Sequence, residues 1–340
     1  MGAVSVRDRV LKESSETGIT HFMRLMVRLF VLACLGVFCL GLPGTVLGDE
    51  AHRRDLIRDS KRVVFLGDSI TYGGNYVANF ITWAEVEFPG KEIDWINVGL
   101  ASETVSGLSE KGHAGGRFPR PDLRERLDRV LAATKPDLVF ACYGMNCGIY
   151  LELDEGRFGK YRDGSIWLKQ KVEKAGAKIV FLTPPCFDKL RNPKKAYYTS
   201  VLAEYSKWLV ERRKDGWMVV DVNSAMTTSI EKRRETDATF TVQKDAVHPN
   251  KQGHWMMAQP MIRWFGDTKA ADAVSVEAML KAKGKDPKIA QLCTQRAALL
   301  RNAWLSKTGH KRPGVPKGKP LEEAQKLAAE MTAGIDELVK

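Results

Sequence analysis

Between residues 61 and 265, the short apolar runs "VVFLG", "WINV", "LVFAC", "IVFL" and "MVV" recur with helix-length stretches between them. Buried parallel strands read as unbroken apolar runs, and two parallel neighbours need a crossover long enough to hold a helix. The pattern predicts strands at 62–66, 93–98, 137–142, 178–182 and 217–220, and helices at 77–87, 121–133, 158–175 and 194–213. Pro121 is placed as a first-turn helix residue, and the glycines of "AGAK" and "KDGW" as helix stops. Strands separated by helices in this way imply a parallel sheet covered on both faces, an α/β fold of three layers. In such sheets ligands gather beyond the carboxyl ends of the strands. Ser69, Gly99 and Asn146 each follow one of these runs.

The chain changes character on either side of this region. Arg24 and Arg28 precede "LFVLACLGVFCLGLPGTVLG", an apolar run that breaks at Pro43 and ends in small residues. Residues 1–48 therefore read as a secretory signal with a leader, cleaved between Gly48 and Asp49, with Met23 as an alternative start. An uncleaved membrane anchor is the competing reading, weakened by Pro43 and the glycines around it. The mature protein is expected to be secreted or periplasmic, with no stable membrane insertion. Residues 49–266 form the expected sheet domain. Residues 267–340 are rich in Ala and Lys, with helical periodicity at 271–282, 288–305 and 321–339 and the linker "KTGHKRPGVPKGKP" before the last. They are expected to be a helical extension packed on the sheet domain.

With 44% hydrophobic and 28% charged residues over 340 positions, wholesale disorder is excluded. The net charge of +12 is spread rather than striped and meets no aromatic–basic motif, so no nucleic-acid partner is expected. Cys142, Cys147, Cys186 and Cys293 have neither CxxC nor Cys/His spacing, which predicts buried thiols, no metal site and no disulfide essential to the fold.

Two local stretches carry chemistry. "FLGDSIT" puts Ser69 at the turn from strand to helix, and "DAVHP" puts Asp245 three residues before His248, so that both side chains can face one way. A serine hydroxyl becomes a useful nucleophile when an imidazole removes its proton, and the imidazole works best when a carboxylate fixes its tautomer. Charge developing on a substrate oxygen needs preorganised donors. Gly99 in "NVGLASETVSG" and Asn146 in "YGMNCG" stand at strand ends where a backbone N–H and a side-chain amide could supply them. Taken singly, Ser69 also reads as a helix cap, Asn146 as an Asx turn and His248 as a loop histidine.

"FLGDSIT", "NVG", "GMN" and "DAVHP", in that order on a strand–helix scaffold, resemble the four signature blocks of the SGNH or GDSL-type hydrolases, over residues 61–265. The resemblance implies a flavodoxin-like three-layer α/β/α sandwich with a five-stranded parallel sheet, extended here by C-terminal helices. It implies Ser69 as nucleophile, Asp245 and His248 as its partners, and an oxyanion hole of the Ser69 amide, Gly99 and Asn146. No metal or organic cofactor is implied. The absence of the second glycine of G-x-S-x-G at "GDSIT" argues against the α/β-hydrolase elbow. Two positions depart from the family pattern: Cys147 stands where an acid is usual, and Ser102 where a second glycine is usual.

The segment "ASETVSGLSEKGHAGGRFPRPDL" suggests a large loop over the site, with His113, Arg117 and Arg120 as substrate-contact candidates or solvent-facing side chains. Asp68 is either a turn-capping acid or a further substrate contact. The expected activity is hydrolysis of short O-acyl esters, acetyl first, on a small molecule or polysaccharide. Alternatives are an O-acyltransferase, a lysophospholipase or thioesterase with the same triad, and a silent carbohydrate-binding module.

Overall fold

A computed structural model describes residues 44–340, so residues 1–43 of the expected secretory segment lie outside the described residues. Strands β1 (Arg62–Gly67), β2 (Asp94–Asn97), β3 (Leu138–Cys142), β4 (Lys178–Leu182) and β5 (Met218–Val220) form one parallel sheet in the order β2-β1-β3-β4-β5. Each expected strand is present within two residues of its predicted ends. The register sets Val64 beside Ile96 and Val139, and Phe140 beside Val180, so the sheet centre is apolar on both faces. Phe65, Phe140, Phe80 and Phe265 cluster there, with Phe65 stacked on Phe140 at 5.1 Å.

Helices α1 (Gly44–Arg58), α2 (Ser69–Gly73), α3 (Asn75–Glu87), α4 (Leu127–Thr134), α5 (Glu155–Lys174), α6 (Tyr198–Glu211), α7 (Val222–Arg234) and α8 (Lys251–Trp264) follow in chain order. Then come α9 (Thr268–Ala271), α10 (Val276–Ala282), α11 (Lys288–Thr308) and α12 (Leu321–Val339). After β2 the chain crosses back over β1 to lay down β3. Strand order therefore reverses between β1 and β3, and the ends of those two strands open the crevice where doubly wound sheets bind ligands. The C-terminal extension packs on this body: α11 lies on α3 and along β2, covering that edge of the sheet. None of the helices among the described residues is long and apolar enough to cross a membrane.

Three expectations need correction. The helix placed at 121–133 starts later, because Pro121 O accepts the Thr104 N–H at 2.9 Å and Asp122 caps a 3₁₀ turn, Leu123–Glu125, instead. The helix placed at 271–282 is two pieces, with Ser275 capping the second. Helix α7 was not anticipated; its stretch "VNSAMTTSIEKRR" carries only a narrow apolar stripe, Val222, Met226 and Ile230 at four-residue spacing, among polar residues. Gly176 and Gly216 do end their segments in left-handed conformation, at φ 86° and 77°.

Candidate active site

Strand β1 ends at Gly67, where a Cβ would stand 2.1 Å from Thr71 Oγ1 and 2.8 Å from Cys142 O. Only glycine lets the first turn of α2 fold back that closely against β3. Asp68 then caps α2, its Oδ1 accepting the Ile70 N–H at 3.0 Å. Ser69 takes the first helical position, and its own N–H has no acceptor among the described residues. Asp68 is buried, and burial pushes its carboxyl up to about 6 against the opposing Ile70 N–H and the nearby His248 ring. It acts on the turn and offers no face to a substrate.

His248 comes from the loop between α7 and α8. Buried Gln243 fastens this loop by donating to Cys186 O at 2.7 Å and Val247 O at 3.0 Å, while Asn250 N–H donates to Val242 O at 2.7 Å. Ser69 Oγ lies 2.8 Å from His248 Nε2, and His248 Nδ1 lies 2.6 Å from Asp245 Oδ2. The other Asp245 oxygen accepts the N–H groups of His248 at 2.7 Å and Val247 at 3.0 Å. Partial burial pushes the Asp245 carboxyl up, but these bonds and the imidazole outweigh it and hold it below the ordinary aspartate value. The Asp245 and His248 side chains are each about half exposed, 57% and 51%, so the relay opens directly to solvent. An array of this kind can move a proton from a hydroxyl to an imidazole whose tautomer is fixed from behind.

Asn146 sits one turn beyond β3, reached through Gly144 at φ 138°. Its side-chain oxygen accepts Arg120 Nη1 at 2.9 Å and the Tyr150 hydroxyl at 3.1 Å. Its Nδ2 donates to Glu103 O at 3.3 Å and keeps a second hydrogen for a ligand. The guanidinium that fixes it is buried, paired with both Glu110 oxygens at 2.7 Å and packed 5.3 Å from the Tyr150 ring centre. Arg120 thus faces inward and braces Asn146, correcting its reading as a solvent-facing side chain.

Gly99 departs from expectation. Its N–H donates to Asn97 Oδ1 at 2.9 Å, and a Cβ on it would meet Tyr72 N at 2.5 Å and Thr71 C at 2.7 Å. It is a packing glycine that lets β2 approach α2, and its N–H is already engaged. A free donor on this loop is Ser102, whose N–H has no acceptor among the described residues and whose φ is 69°. A non-glycine residue in that conformation is costly and is held by its surroundings. The surroundings here are a fully buried pair: Arg126 donates to Glu103 at 2.6 and 2.7 Å and to Val98 O at 2.7 Å, and Tyr143 hydroxyl donates to Glu103 at 2.6 Å. The signal for Ser102 in the sequence was its place in the glycine slot of the second block.

The remaining candidates lie around this centre. Arg117 is exposed and donates to Ala114 O at 2.8 Å. The His113 side chain is mostly covered, edge-on to Phe118 with Nδ1 3.7 Å from Glu110, and burial followed by Arg120 lowers its pKa. Cys147 is buried and its thiol is pushed up to about 11 by burial, so it serves the loop as a packed side chain. Among the described residues no group of His, Cys, Asp and Glu is placed to hold a metal ion. A separate cavity of about 1430 Å³ lies at the amino ends of the strands, lined by Arg62, Asp94, Asp137, Arg296 and Thr332 among others.

No curated protein sequence matches the chain. Among solved structures, BT4096, a gut microbial diltiazem-metabolizing enzyme, is similar at 23% identity and TM-score 0.46. That match covers 61% of this chain and 47% of the other, so the chain spans about half the length of that relative. Axe2, an acetylxylan esterase from Geobacillus stearothermophilus, is similar at 20% identity and TM-score 0.43, over 61% of this chain and 94% of the other. The model of the GDSL-like lipase/acylhydrolase family matches residues 65–256, which include Ser69, Ser102, Asn146, Asp245 and His248. The chain belongs to that family and is, by this membership, a carboxylic ester hydrolase.

Proposed function

We propose that the protein is an exported serine esterase that removes short acyl groups, acetyl above all, from carbohydrate hydroxyls. The observation that carries the reading is the contact of Ser69 Oγ with His248 Nε2 at 2.8 Å, backed by Asp245 at 2.6 Å. Ser69 Oγ attacks the ester carbonyl as His248 Nε2 takes its proton, and Asp245 stabilises the imidazolium. The tetrahedral oxyanion is met by the N–H groups of Ser69 and Ser102 and by Asn146 Nδ2. His248 returns the proton to the departing alcohol, leaving an acyl-serine. Water, deprotonated by the same imidazole, releases the acid. The preference for a short acyl chain is supported by the polar side chains gathered at the oxyanion end, among them Arg120, Glu110 and Tyr150. Export is supported by the basic and then apolar stretch ending at Gly48.

A fluorophosphonate probe and a pair of p-nitrophenyl esters test the reading. Labelling is expected in the native protein and absent in Ser69→Ala, and the acetate should be cleaved faster than the octanoate. Persistent labelling of Ser69→Ala overturns the nucleophile, and a faster octanoate overturns the chain-length assignment.

A further inference from the structure

The linker between α11 and α12 does not hang free of the active site. Arg129, on α4, holds its start by donating to Thr308 O at 3.1 Å and Gly309 O at 3.4 Å. Its end is fastened by Gly318, whose N–H donates to Ser306 Oγ at 2.8 Å and whose Cβ position is 2.2 Å from Asn302 C. Between these anchors Arg312 reaches across to donate Nε to Ala101 O at 3.2 Å. That carbonyl belongs to the peptide unit whose N–H is Ser102. The unit is trans, so its oxygen and its N–H point in opposite directions, and a donor fixed on the oxygen fixes the aim of the N–H. A cationic donor on the oxygen also polarises the amide and strengthens its hydrogen as a donor.

Further contacts tie the same segment to the site. The Arg312 guanidinium lies 5.3 Å from the Phe118 ring centre, and Phe118 packs edge-on against His113 at 5.4 Å. His113 leans on Glu110, which pairs with Arg120, which holds Asn146. On the other side, Arg301 of α11 donates to Tyr72 O at 2.6 Å and covers the Tyr72 ring at 4.3 Å, three residues beyond Ser69.

We propose that the C-terminal extension is part of the catalytic apparatus: Arg312 is a positioning residue that aims the Ala101–Ser102 peptide at the developing oxyanion. The proposal rests on the esterase reading above. It predicts that Arg312→Ala lowers kcat on p-nitrophenyl acetate roughly ten-fold while KM stays within about two-fold, since the contact matters when charge develops on the substrate oxygen. Arg312→Lys, which keeps one charged donor on a long stem, should bring kcat back to within about three-fold of the native protein. A kcat for Arg312→Ala within two-fold of native overturns the proposal. So does a loss shared equally by the lysine variant and matched by a fall in the melting temperature of both, which marks a packing role. Fluorophosphonate labelling separates the two readings. A native protein that labels at Ser69 yet ignores Arg312→Ala sinks this proposal alone, and one that neither labels nor hydrolyses sinks the esterase reading with it.

Discussion

Arg120 and Asn146, 26 residues apart in sequence, meet at 2.9 Å through Nη1 and Oδ1, and Tyr150 closes on the same oxygen. With both acceptor directions of the amide oxygen occupied, the side chain cannot flip, and Nδ2 is left on the substrate side. Arg120→Met keeps an unbranched apolar side chain in the buried position and removes the brace. Turnover should fall by between about ten- and hundred-fold with KM little changed, because the full worth of one such donor sets the limit. In the Asn146→Ala background the same change should cost almost nothing. A double-mutant cycle measures this, and additive losses would show that Arg120 acts by another route.

Asn146→Ala itself removes a donor from the oxyanion position. The expected loss is about a hundred-fold or more in kcat, roughly 3–4 kcal/mol of barrier. Steady-state kinetics on p-nitrophenyl acetate, with circular dichroism to check folding, is the measurement. A near-native rate from a folded variant removes Asn146 from the oxyanion assignment.

The strands were legible because a parallel strand buried on both faces needs apolar residues throughout, and "VVFLG", "LVFAC" and "IVFL" are that. Ser69 and the pair Asp245 and His248 were legible because each is made by a few adjacent residues. What failed to read were the long-range pairings. Arg120 in a Gly-rich polar loop looks like a solvated cation; only Glu110 and Asn146, folded against it, make its burial affordable. Gly99 occupies the expected block, but the Asn97 side chain turns back to take its N–H, and this depends on Asn97 also donating to Thr71 O at 2.7 Å across from α2. Helix α7 has helical spacing at Val222, Met226 and Ile230, but three large apolar residues in a thirteen-residue polar stretch make too thin a stripe to stand out. The linker before α12 gave no hint that Arg312 would reach Ala101.

Gly99 offers a direct separation of packing from catalysis. A methyl group there collides with the backbone of Thr71 and Tyr72, which cannot step aside as a flexible side chain could. Gly99→Ala should therefore destabilise the fold by about 1–3 kcal/mol, read as a lower urea midpoint, through displacement of α2 from β2. Were Gly99 a free oxyanion donor with room around it, the alanine variant would keep both its stability and its N–H. An unchanged urea midpoint would contradict the close packing described.

Asp68 gives the protein a pH signature of its own. Its folded-state pKa, about 6, is raised above the ordinary 3.8 chiefly by burial. The folded chain thus holds this proton more tightly than the unfolded chain. Between pH 4 and 6 the unfolded state has already lost the proton and the folded state has not, so stability falls as pH rises through that window and the penalty is constant above it. The full penalty is on the order of 3 kcal/mol, from a shift of about two pH units at 1.36 kcal/mol each. Asp68→Asn cannot ionise and still caps α2 through its side-chain oxygen. Its advantage over the native protein in urea unfolding should be near zero at pH 4 and largest at pH 7. A difference that does not vary with pH would mean that the Asp68 carboxylate is stabilised in the folded protein as well as it is in water.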